Sequence, residues 1–105
     1  MAKYFSISNG LRGLYMPDDV SFMRFDTRRA LRNFLTWESD QMREAHGYGG
    51  TKREIAWTAA QAWKAEPGDM PLAITFGRTR SGNDRPFGVF VQRITRDDYL
   101  ACMGE

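Results

Sequence analysis

Five residues, His46-Gly47-Tyr48-Gly49-Gly50, separate two stretches of helical periodicity and decide much of what this chain can fold into. A glycine just past a helix accepts the left-handed conformation that closes the last turn, so Gly47 predicts the end of the first helix. Thr51-Lys52-Arg53-Glu54 then has the form of a capping box, in which threonine and glutamate each satisfy the other's backbone amide. So short a link predicts that the second helix folds back antiparallel on the first. The rest of the chain must be arranged around this hairpin.

The first helix is predicted over 27–45, with Asp26 or Thr27 able to cap its free amides. Leu31, Phe34, Leu35, Met42 and Ala45 follow helical spacing, Glu38 interrupts the stripe, and Trp37 sits near its edge. At 1.5 Å per residue such a helix spans about 28 Å. In the second, over 51–65, Ile55, Ala59, Ala62 and Trp63 form one stripe, which Ala56 and Ala60 widen with side chains small enough for close approach. Glu66-Pro67-Gly68-Asp69 stops it, because proline cannot continue a helix.

Strand patterns flank the pair. Phe5 and Ile7 alternate with Ser6 and Ser8 over 3–8. Asn9-Gly10 is expected to open a loop toward Pro17-Asp18-Asp19, and its Leu11, Leu14, Tyr15 and Met16 are apolar enough to cover the core or to meet a partner. Residues 20–25 carry apolar groups on both faces, which predicts an interior strand or one covered on both sides. Leu72, Ile74 and Phe76 mark a third strand, and Phe87, Val89 and Val91 a fourth, joined by a polar basic loop. Thr95 caps a short last helix, which Tyr99, Leu100 and Met103 are expected to pin to the core. The expected fold class is α+β: one domain over 1–105, with a mostly antiparallel sheet of about four strands packed by the helical hairpin, in the order β-β-α-α-β-β with a short C-terminal helix.

At 105 residues, with 42% apolar and 27% charged side chains, the chain can bury one core without metals or disulfides. No apolar run approaches the ~20 residues of a membrane span, and MAKYFSIS lacks the basic segment and apolar block of a secretion signal. Cys102, the single cysteine, has no internal partner, so the expected location is the cytoplasm, in a reducing milieu. Catalysis finds little support. His46 is the only histidine and nothing places it beside Cys102 or a carboxylate. Asp18-Asp19 and Asp97-Asp98 read as turn and cap residues, and one His with one Cys is a poor inventory for a metal. The glycine link lacks the preceding strand and the GxxxxGK(S/T) pattern of a phosphate loop. The expectation is a protein with no catalytic site, no metal and no cofactor.

Charge placement is more informative. Arginine supplies 12 of the 15 basic residues, and Arg24, Arg28, Arg29 and Arg32 cluster at the start of the first helix. Positive charge there opposes the helix dipole, at ~0.3–1 kcal/mol for each poorly screened group. Arg28 and Arg32 also repel at i,i+4 spacing, by about 0.2–0.5 kcal/mol. An external anion would reverse both signs. Internal pairing is the alternative: Glu66 could reach these arginines across the hairpin, and Asp40 or Glu44 could reach Lys52 and Arg53. Arg78, Arg80 and Arg85 make a second candidate patch in the hairpin loop, and Tyr15, Met16, Trp37 and Tyr48 are candidate apolar or aromatic contacts.

The stretches YFSISNGLRGLYMPDD, TRRALRNFL, TKREIAWTAAQAW and ITRDDYL, about half of the chain, resemble small accessory proteins of tailed bacteriophages. Such proteins commonly act without catalysis. The resemblance implies binding to a host protein or nucleoprotein complex inside a bacterial cell, as an inhibitor of host defence or of another host machine. It transfers no functional residue. Direct nucleic-acid binding through the arginine patches is the alternative, and the oligomeric state is left open.

Overall fold

In the computed structural model, which describes residues 2–11, 20–47, 49–78 and 86–103, the elements follow in the order β1 (Lys3–Leu11), β2 (Val20–Phe25), α1 (Arg28–His46), α2 (Lys52–Lys64), β3 (Leu72–Arg78), β4 (Pro86–Ile94) and α3 (Arg96–Met103). The four strands form one antiparallel sheet in the order β2-β1-β4-β3. This is the α+β arrangement that the periodicities predict.

One strand differs from expectation. β1 does not stop at Ser8, because Asn9, Gly10 and Leu11 find ladder partners in Val89, Gly88 and Phe87 of β4. Backbone groups with a strand alongside hydrogen-bond to it rather than turn away. Among the described residues β2 is an edge strand whose neighbour in the sheet is β1, so the interior alternative does not hold. Its apolar residues on both faces fit the other expected arrangement, a strand covered on both sides. Phe25 is buried in the core, while Val20 and Phe22 face the other way, toward the side of the sheet on which α3 packs. There the Tyr99 ring lies 4.9 Å from that of Tyr4. Leu100, expected to pin α3 as well, is instead 47% exposed, because one step along the helix turns it away from Tyr99.

The core lies between the sheet and the helical pair. Phe5, Ile7, Phe25, Ile74, Val89 and Val91 rise from the sheet to meet Leu31 and Leu35 of α1 and Ile55, Ala59 and Ala62 of α2. Thr27 caps α1, its side-chain oxygen accepting from the Ala30 amide at 3.1 Å. Thr27→Ala is expected to cost about 1 kcal/mol, read as a lower midpoint in urea unfolding with an unchanged slope.

Backbone and side chain lock the turn between the helices. Gly47 adopts φ 78° and its amide donates to the Arg43 carbonyl at 2.8 Å. The Gly50 amide donates to Oγ of the buried Ser39 at 2.7 Å, while the Gly50 carbonyl accepts from the Ser39 hydroxyl at 3.3 Å and from Nη2 of Arg43 at 2.8 Å. Thr51 then starts α2 by accepting the Glu54 amide at 3.1 Å. The capping box is modified: the Glu54 carboxylate accepts the Thr51 hydroxyl proton, at 3.3 Å, where the reciprocal form would bond the Thr51 amide.

At the far end of α2 two cations from the sheet meet its terminal carbonyls. Lys3 Nζ donates to the Trp63 carbonyl at 2.6 Å, and Arg93 Nη1 to that of Ala65 at 2.9 Å. Positive charge is favourable at this end of the dipole. Both side chains also lie over rings, Lys3 over Trp63 at 4.9 Å and Arg93 over Phe5 at 5.9 Å.

Candidate anion-binding groove

The hairpin lock at Gly50 sets the register of the two helices. Running back from it, the opening turns of α1 come to lie beside the middle of α2. Between them is a groove of about 420 Å³ lined by Arg28, Arg29, Arg32, Ala56, Ala59 and Ala60. Arg28 and Arg32 are one turn apart and so share a side of α1. Ala59 is buried and forms the deepest part of the floor, with half-buried Ala60 and exposed Ala56 toward the rim. The groove exists because these residues are alanines; larger side chains would fill the space between the helices.

The three arginines meet no internal counter-charge among the described residues. α1 has no acidic residue in its first turn. Ion pairs between described residues are Arg24–Asp26 at 3.1 Å and Arg43–Asp40 at 3.2 Å, and neither involves the groove. The expected Glu66 contact is not formed. Glu66 instead heads the turn after α2, where its amide donates to Oδ2 of Asp69 at 2.9 Å. Asp40, a candidate partner for Lys52 or Arg53, pairs within its own helix.

Arg24 does not join the cluster. It stands opposite Tyr4 on the sheet face turned away from the helical pair, and it pairs with Asp26. Trp37 lies against Phe34, ring centroids 6.0 Å apart, and Phe34 in turn meets Phe25; Trp37 remains 54% exposed and does not line the groove. Tyr15, Met16, Tyr48, Arg80 and Arg85 lie outside the described residues, as does the side chain of Arg78, whose backbone pairs with Pro86 at the end of β3. The apolar loop between β1 and β2 is outside them beyond Leu11, so its covering role is not described.

One part of the surface escaped the sequence reading. Ala56 and Ala60 read as spacers that let elements approach, whereas they line an open groove beside Ala59. For Trp57 the sequence leaves core and interface both open; it is 58% exposed on α2, three residues before Ala60 and thus its neighbour along the helix. The glycine link does not resemble a phosphate cradle, because the Gly50 amide is taken by Ser39. Cys102 is exposed on α3, and His46 ends α1. Among the described residues no three His, Cys, Asp or Glu side chains converge, and no helix is long and apolar enough to cross a membrane.

Chemically, the site offers guanidinium forks that bind carboxylate or phosphate in a bidentate manner, beside a shallow apolar floor. Compared with protein-family models, with curated proteins and with solved structures, the chain matches none. The likeness to phage accessory proteins therefore rests on the quoted stretches alone.

Proposed function

We propose that this chain is a small accessory protein of the phage type. It acts by non-catalytic binding to a host protein or nucleoprotein complex inside a bacterial cell, as an inhibitor of host defence or of another host machine, and it takes an anionic part of that partner into the groove at Arg28, Arg29 and Arg32. The observation that supports anion docking is the uncompensated charge, while the phage-type assignment follows from the resemblance of the quoted stretches. These arginines sit at the wrong end of a helix dipole, two of them repel each other, and no carboxylate of the described residues pairs with them. Folding alone favours acids at these positions. A bound anion converts the same arrangement from a cost into an attraction.

The test follows from that conflict between stability and binding. The double variant Arg28→Glu/Arg32→Glu should be more stable than the parent by roughly 0.3–1 kcal/mol at low ionic strength. It should also lose a stoichiometric, identified partner that the parent retains from bacterial lysate. A variant that keeps the partner, or that unfolds more readily because an internal pair was broken, overturns the reading. Salt should weaken the parent complex in the same experiment, since exposed charge attraction is screened within about 10 Å at 0.1 M.

A further inference from the structure

Resting on the reading just given, the groove's lining points to its occupant: we infer that it receives an acidic amphipathic helix of a protein partner, laid between α1 and α2 as a third helix. Ala56, Ala59 and Ala60 recur at the three- and four-residue spacing of a helix surface, and Arg28 and Arg32 at four. Such rows form ridges and grooves into which another helix packs. Alanine methyls in the floor let its axis come to the near end of the usual ~8–10 Å range. Arg28, Arg29 and Arg32 border that floor on the α1 side, where carboxylates one turn apart on the incoming helix would meet them fork to fork. Trp57, three residues and so nearly one turn from Ala60, stands exposed on α2 as an apolar contact beside the groove.

The same lining is poorly matched to nucleic acid. Single strands are held by successive aromatic platforms, whereas among the described residues the groove is lined by methyl groups and guanidinium ions, with Trp57 as a single ring beside it. A duplex offers phosphates to the arginines but no apolar surface to fill the floor. Charge complementarity and floor shape are satisfied together by a helix with one acidic and one small apolar stripe.

The probes are a synthetic amphipathic helix of about 18 residues, long enough to form alone, with glutamates beside an Ala/Leu stripe; the same peptide with glutamine for each glutamate; and single-stranded and duplex DNA. Binding is followed by calorimetry and by backbone amide shifts at low salt. The glutamate peptide should shift amides of residues 28–32 and 56–60, and should bind about tenfold or more tighter than the glutamine peptide. Arg28→Glu/Arg32→Glu should abolish that binding. So should Ala56→Leu, which fills the groove at an exposed position without touching the core. If DNA binds at these arginines and the acidic peptide does not, or if peptide binding is indifferent to Ala56→Leu, the helix inference falls while anion docking stands. If neither peptide nor DNA moves the amides of residues 28–32, both fall.

Discussion

Phe5→Ala is expected to lower the free energy of unfolding by about 3–5 kcal/mol, the range for deleting a fully buried aromatic ring. Phe5 is 0% exposed and stands on β1, which has neighbours on both sides in the sheet. Its ring lies 6.0 Å from those of Phe25 and Trp63, so it joins an edge strand to the last turn of α2. The Arg93 guanidinium also lies over it, 5.9 Å from the centroid, while donating to the end of α2. Removing the ring opens a void that strands, held by their ladders, cannot close, and it takes away the surface against which Arg93 rests. Urea unfolding should show a much lower midpoint with an unchanged slope. A loss below about 1 kcal/mol would mean that the sheet and α2 collapse onto each other freely, contrary to the packing of a dense core.

The second large effect is expected at the hairpin link. Gly49→Ala should cost about 1–3 kcal/mol, the range for forcing extra atoms into packed structure. A Cβ at this position would lie 2.8 Å from Nη2 and 2.9 Å from Cζ of Arg43, and 2.9 Å from the Ser39 carbonyl oxygen. The arginine could swing away, but it would give up its 2.8 Å bond to the Gly50 carbonyl. The Ser39 carbonyl belongs to the backbone of α1 and cannot yield without bending the helix. Gly49 is therefore required for close approach, whereas Gly47 is required for its φ of 78°. Adding Arg43→Ala to Gly49→Ala separates the two clashes: if the arginine contact dominates, the second substitution should cost little further. Hydrogen exchange of the Gly50 amide, which Ser39 holds, reports whether the link has opened. Unchanged protection in Gly49→Ala would show that the link absorbs the methyl group without moving.

Much of the architecture was legible because its signals are local. Thr27, Thr51 and Thr95 all cap helices through the side-chain oxygen, and each is marked in the sequence by the residue types around it. Period-two and helical patterns likewise picked out Ile7, Val89, Leu31 and Ile55 as buried. The errors and the open choices fall where a residue's fate depends on a neighbour distant in the chain. β1 runs on to Leu11 because β4 is there to pair with it, and β2 is an edge because β1 and β4 pair with each other. Ser39 is fully buried although polar, since Gly50 comes back to meet its hydroxyl. Lys3 and Arg93 have no local mark as the partners of a helix end far along the chain.

The five-residue link illustrates the division. By itself the sequence determined that one helix ends at Gly47, that another begins at Thr51, and that the two fold back on each other, because capping and glycine conformation are decided within a few residues. It also determined that arginines open the first helix against its dipole. Only the tertiary structure decided what those arginines face. Closure of the hairpin through Ser39, Arg43 and Gly50 sets Arg28, Arg29 and Arg32 beside alanines of α2, and leaves Arg24 on the other side of the sheet. Charge is a property of each residue, whereas compensation of charge is a property of distances between residues, and those distances exist only once the helices have packed.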